Sequence, residues 1–226
     1  KVLYVEIDSA VYYNSSQVSN VNGVKSKVVD VLNTFSTSNI NKFGGRFKYS
    51  KLGQIIDGSD SSITSNITRV IIRRNMKCLL NQSAQYELCY GNTFKKNAGG
   101  FNIKSTGFTL ANQPGTLYFT DVPNETGDMG VLSVVRESSE SNEFTVVVKS
   151  AGTIDYKKGE IIVNTLTITS TVAANGIIEI QAFPDSNDVI GLKDLYLSFS
   201  VADSTINMIK DTISSGEQIS GVGYKT

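Results

Sequence analysis

From Gly99 onward, seven short runs rich in β-branched and aromatic residues follow one another: FNIKSTGFTL, GTLYFTDV, GVLSVVRE, EFTVVVKS, GEIIVNTLTITSTV, IIEIQAF and KDLYLSFSV. Glycine, proline or asparagine turns separate them. Runs of this length and composition are strand signals, and their number and spacing point to a sandwich-like or strongly twisted sheet. Within them DYKKGEI, residues 155–161, reads as a tight hairpin in which Gly159 supplies the left-handed residue.

The first third has a different rhythm. VLYVEI (2–7) alternates as a strand does. Val24, Val28, Val31, Leu32 and Phe35 then fall at helical spacing, with Asn20 or Asn22 as N-cap and the polar cluster 36–41 as stop. Gly44 and Gly45 permit a sharp turn into RFKYS, where Phe47 and Tyr49 share a face. Ser50 heads a short helix with Leu52, Ile55 and Ile56 on one side and Gly58 at its end. The run NITRVIIRRNMKCLL is a long strand. It places Arg69, Arg73 and Lys77 on one face with Ile67 and Ile71, and Val70, Ile72, Met76, Cys78 and Leu80 on the other. Strand, helix, short strand, short helix and long strand make a sheet with helices on one side. The whole chain therefore reads as α+β. An N-terminal mixed strand and helix domain spans 1–98. A mainly antiparallel β-rich domain spans 99–226 and ends in a helix, read from Ala202, Ile206, Ile209 and Ile213, with Asp203 as N-cap and Gly216 as stop. The tail beyond Gly216 is loose or docks elsewhere.

Composition narrows the chemistry. The 226 residues hold no histidine, so Ser-His and Cys-His nucleophiles and most zinc sites are removed. Lys plus Arg equals Asp plus Glu at 21 each, so no global field favours nucleic acid or an anionic membrane. Cys78 and Cys89 are too few for a disulfide framework. They flank a stretch that reads as a hairpin with Ser83 and Ala84 near its tip, a register that sets the two thiols opposite one another and within reach of a bond, but the expectation is two buried free thiols. No run of 18 apolar residues marks a membrane helix. The alternating N-terminus is not a signal peptide, and its abrupt start inside a strand reads as a fragment of a longer chain. Asn14, Asn66, Asn81 and Asn124 head glycosylation sequons, which also arise by chance in a chain so rich in these residues.

The basic stripe Arg69, Arg73, Lys77 is the most pointed candidate. Its members are about 13 Å apart on a strand at about 3.3 Å per residue. Such a stripe serves as a solvated face or charge-guarded edge, or as a protein interface. Nucleic acid is disfavoured because no aromatic residues are interleaved for stacking. Gly44 and Gly45 are not a phosphate cradle, because a strand and not a helix follows them. PDSNDV (184–189) lacks the closing glutamate of a calcium loop and reads as a polar turn, as do Asp57 and Asp60. No catalytic, cofactor or metal constellation emerges.

Three stretches are similar to a known family: VKSKVVDVLNTFSTSNINKFGGRFKYSKLGQIIDGSDSSITSNI (24–67), GTIDYKKGEIIVNTLTI (152–168) and IIEIQAFPDSNDVIGLKDLYLSF (177–199). In order, they carry a helix, an F-G-G turn, a Y-S-K-L helix start and a G-E-I-I-V hairpin. The chain resembles the C-terminal half of the inner-baseplate wedge proteins of T4-like contractile-tailed phages, related to the baseplate J-like family. The resemblance implies a structural scaffold of the virion, assembled in the host bacterial cytoplasm. It would form a homodimer within each wedge and a ring of dimers around the hub. Partners would be the other wedge subunits and the hub, with no enzyme activity, cofactor, nucleic acid or membrane. The surfaces that the residues offer for such contacts are Arg69, Arg73 and Lys77, and the segment holding Ile206, Ile209 and Ile213. Two rival classes are a secreted adhesin or carbohydrate-binding β domain, which would use the sequons and exposed tyrosines, and a carboxylate hydrolase, which would need a cleft with a raised-pKa acid.

Overall fold

The computed structural model describes residues 1–138 and 143–213. Strand accounts for 51% of the chain and helical turns for 17%. The molecule is thus mostly β, built from a helix-backed sheet joined to a small barrel, and not the α+β fold with a terminal helix that the sequence pattern suggests.

Strand β1 (Val2–Tyr13) buries Leu3, Val5, Ile7 and Val11, the odd face of its alternation. Helix α1 (Val21–Phe35) packs against that face through Val24, Val28, Leu32 and Phe35. Its N-terminus is held by the Asn20 side chain, which accepts from the Gly23 amide at 3.2 Å. The polar residues that follow do not end the helical path at once. A wider helical turn carries Ser36–Ile40, because the buried Ser36 hydroxyl donates to the Phe199 carbonyl at 2.7 Å. Two-residue strands β2 (Lys42–Phe43) and β3 (Arg46–Phe47) flank the glycine pair. Gly44 has φ +61°, and a Cβ at Gly45 would lie 2.4 Å from the Ile40 carbonyl oxygen, so the turn needs both glycines. Helix α2 (Tyr49–Asp57) starts two residues earlier than Ser50 as N-cap predicts, with Lys48 at the cap position. Its cap comes from far along the chain: Asp188 of the polar PDSNDV turn accepts from the Tyr49 amide at 2.9 Å and pairs with Lys48 at 2.7 Å. Strand β4 (Ile63–Lys77) then runs antiparallel to β1 from Tyr13 back to Tyr4.

The barrel uses strands β5 (Ser83–Cys89), β6 (Lys104–Ser105), β7 (Phe108–Leu110), β8 (Gln113–Pro123), β9 (Met129–Glu137), β10 (Phe144–Asp155) and β11 (Glu160–Thr171). Pairing runs β8–β7–β11–β10–β9, and a further β8–β9 ladder closes the ring. Alternate side chains, among them Leu117, Phe119, Leu132, Val134 and Ile154, are fully or almost fully buried. Asp121 is the acid in this interior. It accepts from the Ile103 amide at 2.6 Å and from the Tyr156 hydroxyl at 2.7 Å. Burial, reinforced by that carboxylate, pushes the Tyr156 phenol above its ordinary range. The β10–β11 hairpin forms at Asp155 and Glu160, with Gly159 left-handed at φ +65°. Strand β5 pairs with β11, not with β4, so the stretch between Cys78 and Cys89 is not a two-stranded hairpin. Both thiols are free, but only Cys78 is buried and Cys89 is half-buried; burial raises the Cys78 thiol to about 11.

The chain then returns to the first sheet. Strand β12 (Ile177–Ala182) pairs with the second half of β4 and with β6, bridging sheet and barrel. Strand β13 (Val189–Ile190) pairs with β3. Strands β14 (Tyr196–Phe199) and β15 (Thr205–Lys210) lie end to end along one side of β1, both parallel to it. Here the predicted terminal helix is corrected. Ile206 is buried and Met208 half-buried, while Asn207 and Ile209 are exposed, a period of two. The backbone groups of β1 from Asp8 to Tyr13 offer this segment a full ladder, and that outweighs the helical spacing of its isoleucines. Asp203 caps no helix. It sits in the turn between β14 and β15 and accepts from the Ser200 hydroxyl at 2.8 Å. The predicted helix stop at Gly216 and the tail after it lie outside the described residues.

Candidate protein interface

The face of the sheet opposite α1 and α2 carries the even-numbered residues of β1. Register places Tyr4 against Arg73, Glu6 against Ile71, Asp8 against Arg69 and Ala10 against Ile67. On the other side of β1, Tyr12 faces Ile209. The sheet therefore brings Arg69, Arg73 and Ile209 onto one face, with Lys77 further along β4 on the same alternation. Ile206, aligned with the buried Ser9, points the other way into the core. Ile213 lies beyond β15 and is almost fully exposed.

Arg73 is the centre of this face, but it is buried at 6% exposure. Its Nε donates to Glu6, its Nη1 to Glu179 and Asn75 at 2.8 and 2.7 Å, and its Nη2 to Asp203 at 2.8 Å. The guanidinium also stacks 4.5 Å above the Tyr4 ring. One arginine thus ties β1, β4, β12 and the β14–β15 turn together. Burial would favour its neutral form, yet the Glu6 hydrogen bond and the three carboxylate charges outweigh it and hold the pKa above the usual arginine value. Glu6 is pushed up, with burial the largest cause and Glu179 and Asp203 adding to it against the pull of Arg73. A lone glutamate inside the apolar alternation VLYVEI was the sequence signal for this cluster, but nothing local links it to residues 73, 179 and 203.

The rest of the face is more accessible. Arg69 makes no ion pair among the described residues, and Lys77 is exposed, donating to the Asn175 carbonyl. Ile67 is 63% exposed beside half-buried Ala10, Tyr12 and Ile71. Apolar groups with a cationic margin, covered by no helix among the described residues, make this face a candidate contact surface. No cluster of metal-ligating residues occurs among the described residues.

Residues 1–75 match the family model described as baseplate structural protein gp6, C-terminal domain III. That span holds β1, both α-helices and nearly all of β4, the elements that build the open face. The match supports a structural protein of a phage tail baseplate, located in the virion tail. It does not reach the narrower baseplate J-like wedge assignment. No curated protein matches the chain.

Proposed function

We propose that the chain is a scaffold of the baseplate wedge that pairs with a second copy, joins a ring of such pairs around the hub, and assembles in the host bacterial cytoplasm. The match of residues 1–75 to a baseplate structural family supports this reading, because the matched region builds the uncovered sheet face. On that face Arg69, Lys77, Ile67 and Ile209 are the contact residues, with Ile213 beside it. Arg73 and Ile206 act from beneath, holding the strands flat against one another. Partners are then a second copy, other wedge subunits and the hub. A scaffold needs no cofactor, nucleic acid or membrane, and nothing in this role calls for catalysis.

Sedimentation velocity across a concentration series tests the pairing. A dimer that weakens in Ile67→Asp is the expected result, since that exposed position tolerates the charge in the fold. A strict monomer at high concentration overturns the self-pairing.

A further inference from the structure

A row of side chains crosses the joint between sheet and barrel. Arg73, Gln181, Lys104 and Thr120 stand opposite one another on β4, β12, β6 and β8, so they share one face. On the barrel side of Lys104 this face sinks into a cleft of about 500 Å3, predominantly apolar, walled by Phe101, Tyr118, Val135 and Phe144. On the sheet side lies a smaller hollow of about 270 Å3, which Glu6, Arg73, Glu179 and Asp203 line. Lys104 and Ser105 border both, so the two form one groove.

Three observations mark it as built for an occupant. Phe101 is held at φ +59°, a strained conformation for a bulky side chain, yet the residue is 47% exposed and its ring lies 5.9 Å from that of Phe144. Strain is being spent to present an aromatic surface. Thr120, only 4% exposed, lines the cleft with a hydroxyl that has no hydrogen-bond partner among the described residues. In the smaller hollow three carboxylates face two cations: Arg73 pairs with all three and the exposed Lys104 stands at the rim, while the side chains of Glu179 and Asp203 remain 37% and 54% exposed. That leaves negative charge open to a cation.

We propose that this groove docks an extended segment of another protein chain bearing an aromatic or large apolar side chain and, about four residues later, a lysine or arginine. The apolar side chain fills the cleft, the backbone of the segment offers Thr120 a polar neighbour, and the cation meets Glu179 and Asp203. Spacing follows from the sheet. Arg73 and Thr120 lie three strand intervals apart, about 14 Å, which an extended chain covers in about four residues with both side chains on one face. The acidic hollow repels phosphate, so nucleic acid is not the occupant. This inference rests on the groove and not on the baseplate reading, and either stands if the other fails.

The test is an amide NMR titration of the full chain with two capped pentapeptides. One has tryptophan first and lysine last, with serine, glycine and serine between. The other ends in glutamate. Saturable shifts at Ser105, Tyr118 and Val135 are expected. The lysine peptide should bind about threefold tighter at low salt, the size of an exposed ion pair. Glu179→Gln with Asp203→Asn should abolish that preference. Phe101→Gly, which relieves the backbone strain and so preserves the fold, should weaken both peptides. Equal binding of the two peptides, shifts confined to other surfaces, or no saturable shift at millimolar peptide would each overturn the proposal.

Discussion

The helix-backed sheet and the barrel hold a buried charge by opposite means. In the barrel, β8 pairs on both sides and the ring closes, so the interior is shielded all round. Its acid, Asp121, is met by an amide 18 residues back and a phenol 35 residues on. In the sheet one face is open, and Arg73 lies under that open side. Its partners come from across the chain, as far as 130 positions away at Asp203. The barrel is therefore self-contained, whereas the sheet is pinned by charges that only the finished fold brings together. A region pinned in this way depends on charges brought together from distant segments of the chain.

The largest expected effect tests the pin. Arg73→Ala leaves Glu6 buried without its cation and should cost about 3–5 kcal/mol in urea unfolding. Amide exchange should rise first in β1 and β4 while barrel amides stay protected. Uniform loss across both regions would break the contrast. A smaller step comes from Tyr156→Phe, which removes one donor from Asp121 and should cost about 1–3 kcal/mol, with exchange rising in the barrel. Asn20→Ala should cost about 1 kcal/mol by removing the α1 cap, and amides at that helix start should report it.

The smallest effect, and the one that sharpens the contrast most, is the pH profile. Asp60 is held down to about 2 by the Lys27 and Ser62 hydrogen bonds, and Asp188 is lowered by Lys48 and the Tyr49 amide. Their contributions are present above the unfolded value of 3.8 and fade as pH falls through their folded values. Glu6 has the opposite sign. Its folded pKa is raised, so its contribution is full below the unfolded value of 4.5 and is lost as pH climbs through the folded one. Helix circular dichroism melts, which follow α1 and α2, should therefore show best stability on the mildly acid side. A maximum at neutral pH would count against the Glu6 assignment.

Local signals were readable where a short stretch decides its own geometry. The α1 helix follows from its apolar period and Asn20, and the β10–β11 hairpin from Gly159. The remainder depends on contacts distant in sequence. The isoleucines of β15 are spaced as a helix, and only the open flank of β1 makes them a strand. Barrel closure rests on the β8–β9 and β7–β11 ladders, which no single run announces. Arg69, Arg73 and Lys77 read as three equal members of a stripe. Alternation alone does not reveal that the middle one meets carboxylates from three other segments and is buried by them. The groove was equally hidden, since Phe101, Thr120 and Phe144 come from separate strands and loops.

Strands β14 and β15 both run parallel to β1, which has a mechanical meaning. A load applied ahead of Val2 and beyond Lys210 pulls these strands lengthwise in opposite directions. The β1–β15 ladder is then sheared, so its hydrogen bonds share the force at once and cannot be unzipped singly. Such a joint resists tension far better than a hairpin pulled from its open end.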